Sequence, residues 1–151
     1  MSEKYDAIVI GMGPSGIFFA YELIQLEKAK NILLIDQGKR VENRNCPIEK
    51  VGKCVKCQPY CNITSGFSGA GAFSDGKLSL YNDEDDDIYV GGILQEYIGV
   101  ENTKILIDYT DDIYLKFGAD KKLEGVNFKD EVKVIKEKSK KQGINLINIP
   151  I

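Results

Sequence analysis

Apolar residues gather toward the two ends of the chain and leave a long polar middle. Tyr5 to Ile10 (YDAIVI) is a short β-branched run that ends in Gly-Met-Gly-Pro-Ser-Gly, and beyond it Ile17, Ala20, Leu23 and Ile24 recur at helical spacing. That pattern predicts strand, tight turn, helix. Ile32 to Ile35 (ILLI) follows, continuous rather than alternating, which predicts a strand covered on both faces of a parallel sheet. Two such strands joined by a helix make a βαβ unit, and its crossover is expected to be right-handed. From about Glu101 the pattern is helical again: Ile105, Tyr109, Asp112, Ile113 and Lys116 step along one helix until Gly118 stops it. Tyr109, Tyr114 and Phe117, at helical spacing, are expected in the core. A second amphipathic helix is expected from Lys129 to Gln142, ended by Gly143, and the closing INLINIPI (Ile144 to Ile151) predicts a strand. A terminal strand with no partner after it leads to the expectation that the chain is part of something longer.

The middle, from Gln37 to Gly92, is rich in Gly, Asn, Ser and Cys and has little period of either kind; a loop of that length inside a compact domain is usually functional. Its first part carries Lys39, Arg40, Arg44, Lys50, Lys53 and Lys56 against Glu42 and Glu49, and its end carries the acidic run Asp83 to Asp87. That run lacks the Gly and closing Glu of a calcium loop and reads as a solvated turn. With 151 residues, 43% hydrophobic and 28% charged, the chain is long enough for one domain with a core, and disorder, collagen and coiled coil are excluded for its bulk. A formal charge of -3 gives no pull toward nucleic acid or an anionic membrane. Ala7 to Ile24 is apolar enough to suggest a membrane span, but Gly11, Gly13, Pro14, Gly16 and Glu22 interrupt it, so a soluble, cytoplasmic protein is the expectation. The chain has no His, which removes Ser-His and Cys-His pairs and imidazole metal ligands. Its chemistry is brought by a cofactor or done without imidazole.

The strongest constellation is Gly11-Met12-Gly13-Pro14-Ser15-Gly16 in its setting. Gly11 permits the sharp turn off the strand, Gly13 lets the backbone approach a pyrophosphate, and Gly16 lets the helix lie close to the strand. The helix N-terminus supplies unpaired N–H groups and partial positive charge. Asp36, at the end of the second strand, can accept hydrogen bonds from ribose hydroxyls and disfavours a 2′-phosphate, so FAD or NAD is expected in preference to NADP. Gly71 to Lys77 reads GxxxxGK, but Leu78 follows where a phosphate loop needs Ser or Thr, and no apolar strand precedes it. Cys46, Cys54, Cys57 and Cys61 could give four thiolates to zinc or an iron–sulfur cluster; only one CxxC is present, and structural thiols or a redox pair stay open beside that.

Several stretches are specific enough to compare with a family. DAIVIGMGPSG, Asp36 with Gly38, ENRNCP (Glu42 to Pro47), SGFSGAGAFSDGKL (Ser65 to Leu78), DYTDDIYLKFGA (Asp108 to Ala119) and the closing INLINIPI together resemble the N-terminal part of uncharacterised NAD(P)/FAD-dependent oxidoreductases of the dehydrogenase type. The resemblance implies an α/β, Rossmann-type FAD/NAD(P)-binding domain over 1–151, with the remainder of the enzyme absent, and flavin-mediated hydride or electron transfer in the full-length protein. It makes Gly11, Gly13, Pro14, Ser15 and Gly16 the pyrophosphate turn and Asp36 the adenosine ribose ligand, where the family usually carries Glu. Gln37 and Gly38 would flank the adenosine, Arg44 would neutralise phosphate, and Gly69, Gly71, Ala72 and Ser74 would contact pyrophosphate and flavin. NAD(P)H or a small molecule would be the electron partner. No proton donor is assigned, and the chain alone is expected not to turn over. Two other classes stay open: a thiazole-synthase-like dinucleotide protein, and a non-catalytic module organised by the four thiolates.

Overall fold

The computed structural model describes residues 4–74, 76–81, 90, 93–124 and 128–151. Among them the chain is mixed α/β and falls into two compact units, Met1–Gly76 and Lys77–Ile151. In the first unit, β1 (Ala7–Ile10) pairs in parallel with β2 (Ile32–Ile35) in the register Ala7↔Ile32 to Ile10↔Ile35. The helix α1 (Pro14–Gln25) links them, with Pro14 in its first turn where a missing N–H costs nothing. The Asp6 carboxylate closes the far end of the sheet by accepting from the N–H groups of Lys30 and Asn31, at 2.8 and 2.9 Å.

Side chains alternate across a strand, so β1 has one apolar face toward α1 and one away from it. Val9 takes the α1 face, and with Met12, Ala20 and Ala29 it supplies the buried hydrophobic residues described in this unit. On the opposite face Ile8 and Ile35 are exposed, and Ile10 is 85% exposed. The continuous ILLI run is expected to be covered on both faces; in the structure Ile32, Leu33 and Leu34 are half-buried and Ile35 is exposed. Among the described residues, the long middle is mostly loop with short local turns. It holds short 3-10 turns at Val41–Asn43 and Gly69–Phe73 and a single helical turn, α2 (Ile48–Val51).

The second unit contains α3 (Leu94–Ile98), α4 (Val100–Lys116) and α5 (Lys129–Lys141). The last two lie where the helical spacing puts them, and Gly118 and Gly143 both take the positive φ that ends a helix, 101° and 74°. Thr103 is fully buried in the first turn of α4, its hydroxyl donating to the carbonyl of Gly99 at 2.9 Å. Two expectations fail here. Tyr109, Tyr114 and Phe117 are exposed rather than core, because a 3.6-residue spacing marks a face without saying that another element covers it. The closing run forms no strand: Ile151 exchanges two backbone bonds with Glu124, and Pro150 accepts one from Leu80, but Pro150 has no N–H with which to extend a ladder. The acidic run Asp83 to Asp87 lies outside the described residues. No helix among the described residues is long and apolar enough to cross a membrane.

Candidate functional site

The turn between β1 and α1 is built from glycines that differ in what they are for. Gly11 has φ 101°, a conformation that favours glycine, and its N–H donates to the Ile35 carbonyl at 2.7 Å, carrying the sheet pairing one residue past the strand. A Cβ on Gly16 would collide with the Gly11 carbonyl oxygen and lie 3.3 Å from Val9 Cγ1, so the bare backbone is what lets α1 sit against β1. Gly13 is different. Its backbone is ordinary and extended, φ −72° and ψ −179°, and a Cβ there would meet nothing within 4 Å. Among the described residues, neither backbone conformation nor packing requires glycine at 13. Pro14 and Ser15 follow as exposed first-turn residues; no side chain caps the helix and no acidic residue stands in its first turn. The first amide groups of α1, with their partial positive charge, are thus left for an anion.

Asp36 stands beside this turn. Its Oδ2 accepts from Met12 N–H and its Oδ1 from Gly38 N–H, both at 2.8 Å. Those two amides hold its carboxyl below the usual carboxylate range against the opposing effect of burial, with the Gly66 amide and the Arg44 charge adding smaller contributions. Gln37 is exposed and its amide donates to Ser65 Oγ at 3.3 Å. Gly38 is pressed against the backbone of Ser65 and Gly66, where a Cβ would overlap both.

The loop that follows lies over the turn. Ser68, in the left-handed region at φ 71°, donates its N–H to the Met12 carbonyl at 2.7 Å, and a Cβ on Gly69 would come 3.4 Å from Gly13 Cα. Met12, 6% exposed, is thus pinned on both sides of its residue, by Asp36 at its N–H and by Ser68 at its carbonyl. Gly71, like Gly13, has open space where a Cβ would be, and Ala72 lies in the same 3-10 turn. Ser74 ends that turn and its hydroxyl accepts from Gly76 N–H at 3.2 Å. Asp75, in the middle of the GxxxxGK run, lies outside the described residues. Arg44 is inside the loop rather than on its surface: Nε donates to the Asn62 carbonyl at 2.8 Å, one terminal nitrogen to Phe67 at 2.6 Å and the other to Ile63, and the guanidinium stacks 4.8 Å from the Phe73 ring.

A 76-residue stretch, 50% of this chain, is 38% identical to a protein of Clostridium beijerinckii (strain ATCC 51743 / NCIMB 8052) described as an uncharacterized protein. The match covers 14% of that protein, so this chain spans a small part of its relative's length. No protein-family model matches the chain. No solved structure matches it.

Met12, Gly66, Ser68 and Phe73 take part in the site, although the sequence assigns none of them a role. Met12 and Ser68 act through backbone atoms, which leave no residue-type signal; Gly66, with φ 119° and a Cβ that would strike Lys39, could have been flagged as an isolated glycine beside a second one at Gly38. The four cysteines are free thiols, and no three His, Cys, Asp or Glu side chains among the described residues are grouped to share a metal. Cys61 is exposed, and the amides of Ile63 and Thr64, then the Thr64 hydroxyl and the Arg44 charge, lower its thiol below the ordinary value. With iodoacetamide near neutral pH, Cys61 is expected to be alkylated before the other three cysteines. Peptide mass spectrometry over a time course reads the order, and earlier labelling of exposed Cys54 or of half-buried Cys46 or Cys57 would contradict it.

Proposed function

We propose that this chain is the nucleotide-binding part of a cytoplasmic FAD-dependent oxidoreductase, a partial Rossmann-type domain that holds the ADP half of FAD on the turn between β1 and α1. The observation that carries the reading is Gly13, a glycine that nothing among the described residues requires and that faces open space beside a helix N-terminus with no side-chain cap. A pyrophosphate lying against that backbone supplies the reason. The amides of Ser15 and Gly16 would meet its oxygens, and Gly69, Gly71, Ala72 and Ser74 would line its other side. Asp36 would accept the ribose hydroxyls; an ionised carboxylate has about four acceptor positions, Met12 and Gly38 use two of them, and the Gly66 amide also acts on it. Bound flavin supplies the hydride or electron transfer, and the chain supplies position and electrostatics. A small-molecule substrate and NAD(P)H are the partners this reading calls for.

The test is the visible absorption spectrum of the purified protein after FAD is added and the excess removed. Flavin bands should stay with the wild-type protein and disappear with Gly13→Val, whose circular dichroism should be unchanged because its side chain enters open space. A wild-type protein that retains no flavin would overturn the reading, and a Gly13→Val protein that keeps it would move the cofactor off this turn.

A further inference from the structure

We propose that Arg44 is a positioning residue that sets the loop 62–73 against the glycine turn and acts on the bound nucleotide through that loop, without touching its phosphates. The proposal rests on the nucleotide reading of the turn. A cation that neutralises phosphate needs its N–H groups turned to the ligand, whereas Arg44 is 3% exposed and each of its three nitrogens is held by a backbone carbonyl. Those carbonyls, from Asn62, Ile63 and Phe67, belong to the segment leading into the part of the loop that touches the turn. Phe67 donates to the Lys39 carbonyl at 3.1 Å and Ser68 to that of Met12 at 2.7 Å, so a shift of the segment moves the atoms that pin the turn. Phe73 closes the far end by stacking on the same guanidinium. Asp36 feels the Arg44 charge, yet among the described residues no carboxylate forms an ion pair with it. Its fork of donors is spent on shape.

Lysine separates the two roles, because it keeps a positive charge but not the planar fork that fits three carbonyls. FAD affinity is measured by titration of wild type, Arg44→Lys and Arg44→Met, with hydrogen exchange followed at the amides of 62–73. The expected result is that both variants bind FAD about tenfold more weakly, to the same degree, with faster exchange at Ser65, Phe67 and Ser68. Rescue by lysine would mean direct charge on the phosphates and would overturn the proposal, as would unchanged affinity in both variants. A wild-type protein that binds no FAD is a failure of the nucleotide reading itself, and it is seen before any variant is compared. If Arg44→Met does not fold, Phe73→Leu carries the test, since it removes the stacking ring and leaves all three Arg44 bonds. Weaker FAD binding by about threefold with faster exchange at 68–73 supports the proposal, and wild-type affinity overturns it.

Discussion

Alanine at position 16 is expected to destabilise the first unit by about 3 kcal/mol, read as a lowered urea midpoint at unchanged slope. The added Cβ falls on the Gly11 carbonyl oxygen, with the Gly11 carbonyl carbon at 3.1 Å and Val9 Cγ1 at 3.3 Å behind it. None of these can yield cheaply. Gly11 is fixed at φ 101° and bonded to Ile35, and Val9 is one of the few buried apolar side chains in the unit. The relief available is for α1 to lift from β1, which uncovers Val9 and Ala20 together. Small domains have about 5–15 kcal/mol to lose, so one added methyl removes a large fraction. Alanine at position 13 should change stability by about 0.5 kcal/mol at most, since its Cβ meets nothing and its backbone is already one that alanine adopts. Equal losses at the two positions would show that Gly13, too, is a packing glycine, and would remove the observation on which the nucleotide reading stands.

The same contrast shows how far the sequence could be read. The strand, turn, helix and second strand were legible because each signal is local: a β-branched run, a proline in the first helical turn, a glycine at positive φ and a short continuous apolar run within 35 residues. The roles of Gly11 and Gly16 follow from the same local geometry. Arg44 was legible as a cation in a basic loop, but its partners are carbonyls 18 to 23 residues away, and a carbonyl is the same for every residue type. Asp36 was legible as an acceptor at the end of a strand, while its engagement with Met12, 24 residues earlier, depends on how the turn folds back. Burial was the least legible. Ile10, Tyr114 and Phe117 are apolar at the right spacing and are exposed, because spacing defines a face and only tertiary structure covers it. The short helix α3, preceding Gly99, has too few turns to show a period at all.

Asp36→Asn should combine a loss of about 2 kcal/mol in stability with weaker FAD binding and a flatter dependence of stability on pH. Asparagine is nearly the same size, so packing is unchanged; what changes is that one carboxylate oxygen becomes an NH₂. The carboxylate accepts from Met12 and Gly38 at once, and an amide can accept only on its oxygen, so one backbone donor is left facing another donor. The sign of the pH effect follows from the direction of the shift. The Asp36 carboxyl is lowered from an ordinary value of 3.8, so the folded state favours the ionised form. Its stabilisation is therefore fully present above about pH 4 and is lost as pH falls through the folded-state value. Asp6, also lowered by the amides of Lys30 and Asn31, contributes in the same window and remains in the variant. Urea midpoints measured from neutral pH downward should thus fall for wild type and fall less steeply for Asp36→Asn, the two converging under acid. Parallel curves would mean that the carboxylate is not tied to the turn. A variant that loses stability at neutral pH yet keeps its FAD affinity would leave Asp36 as a brace for Met12 and Gly38 and assign the ribose to some other group.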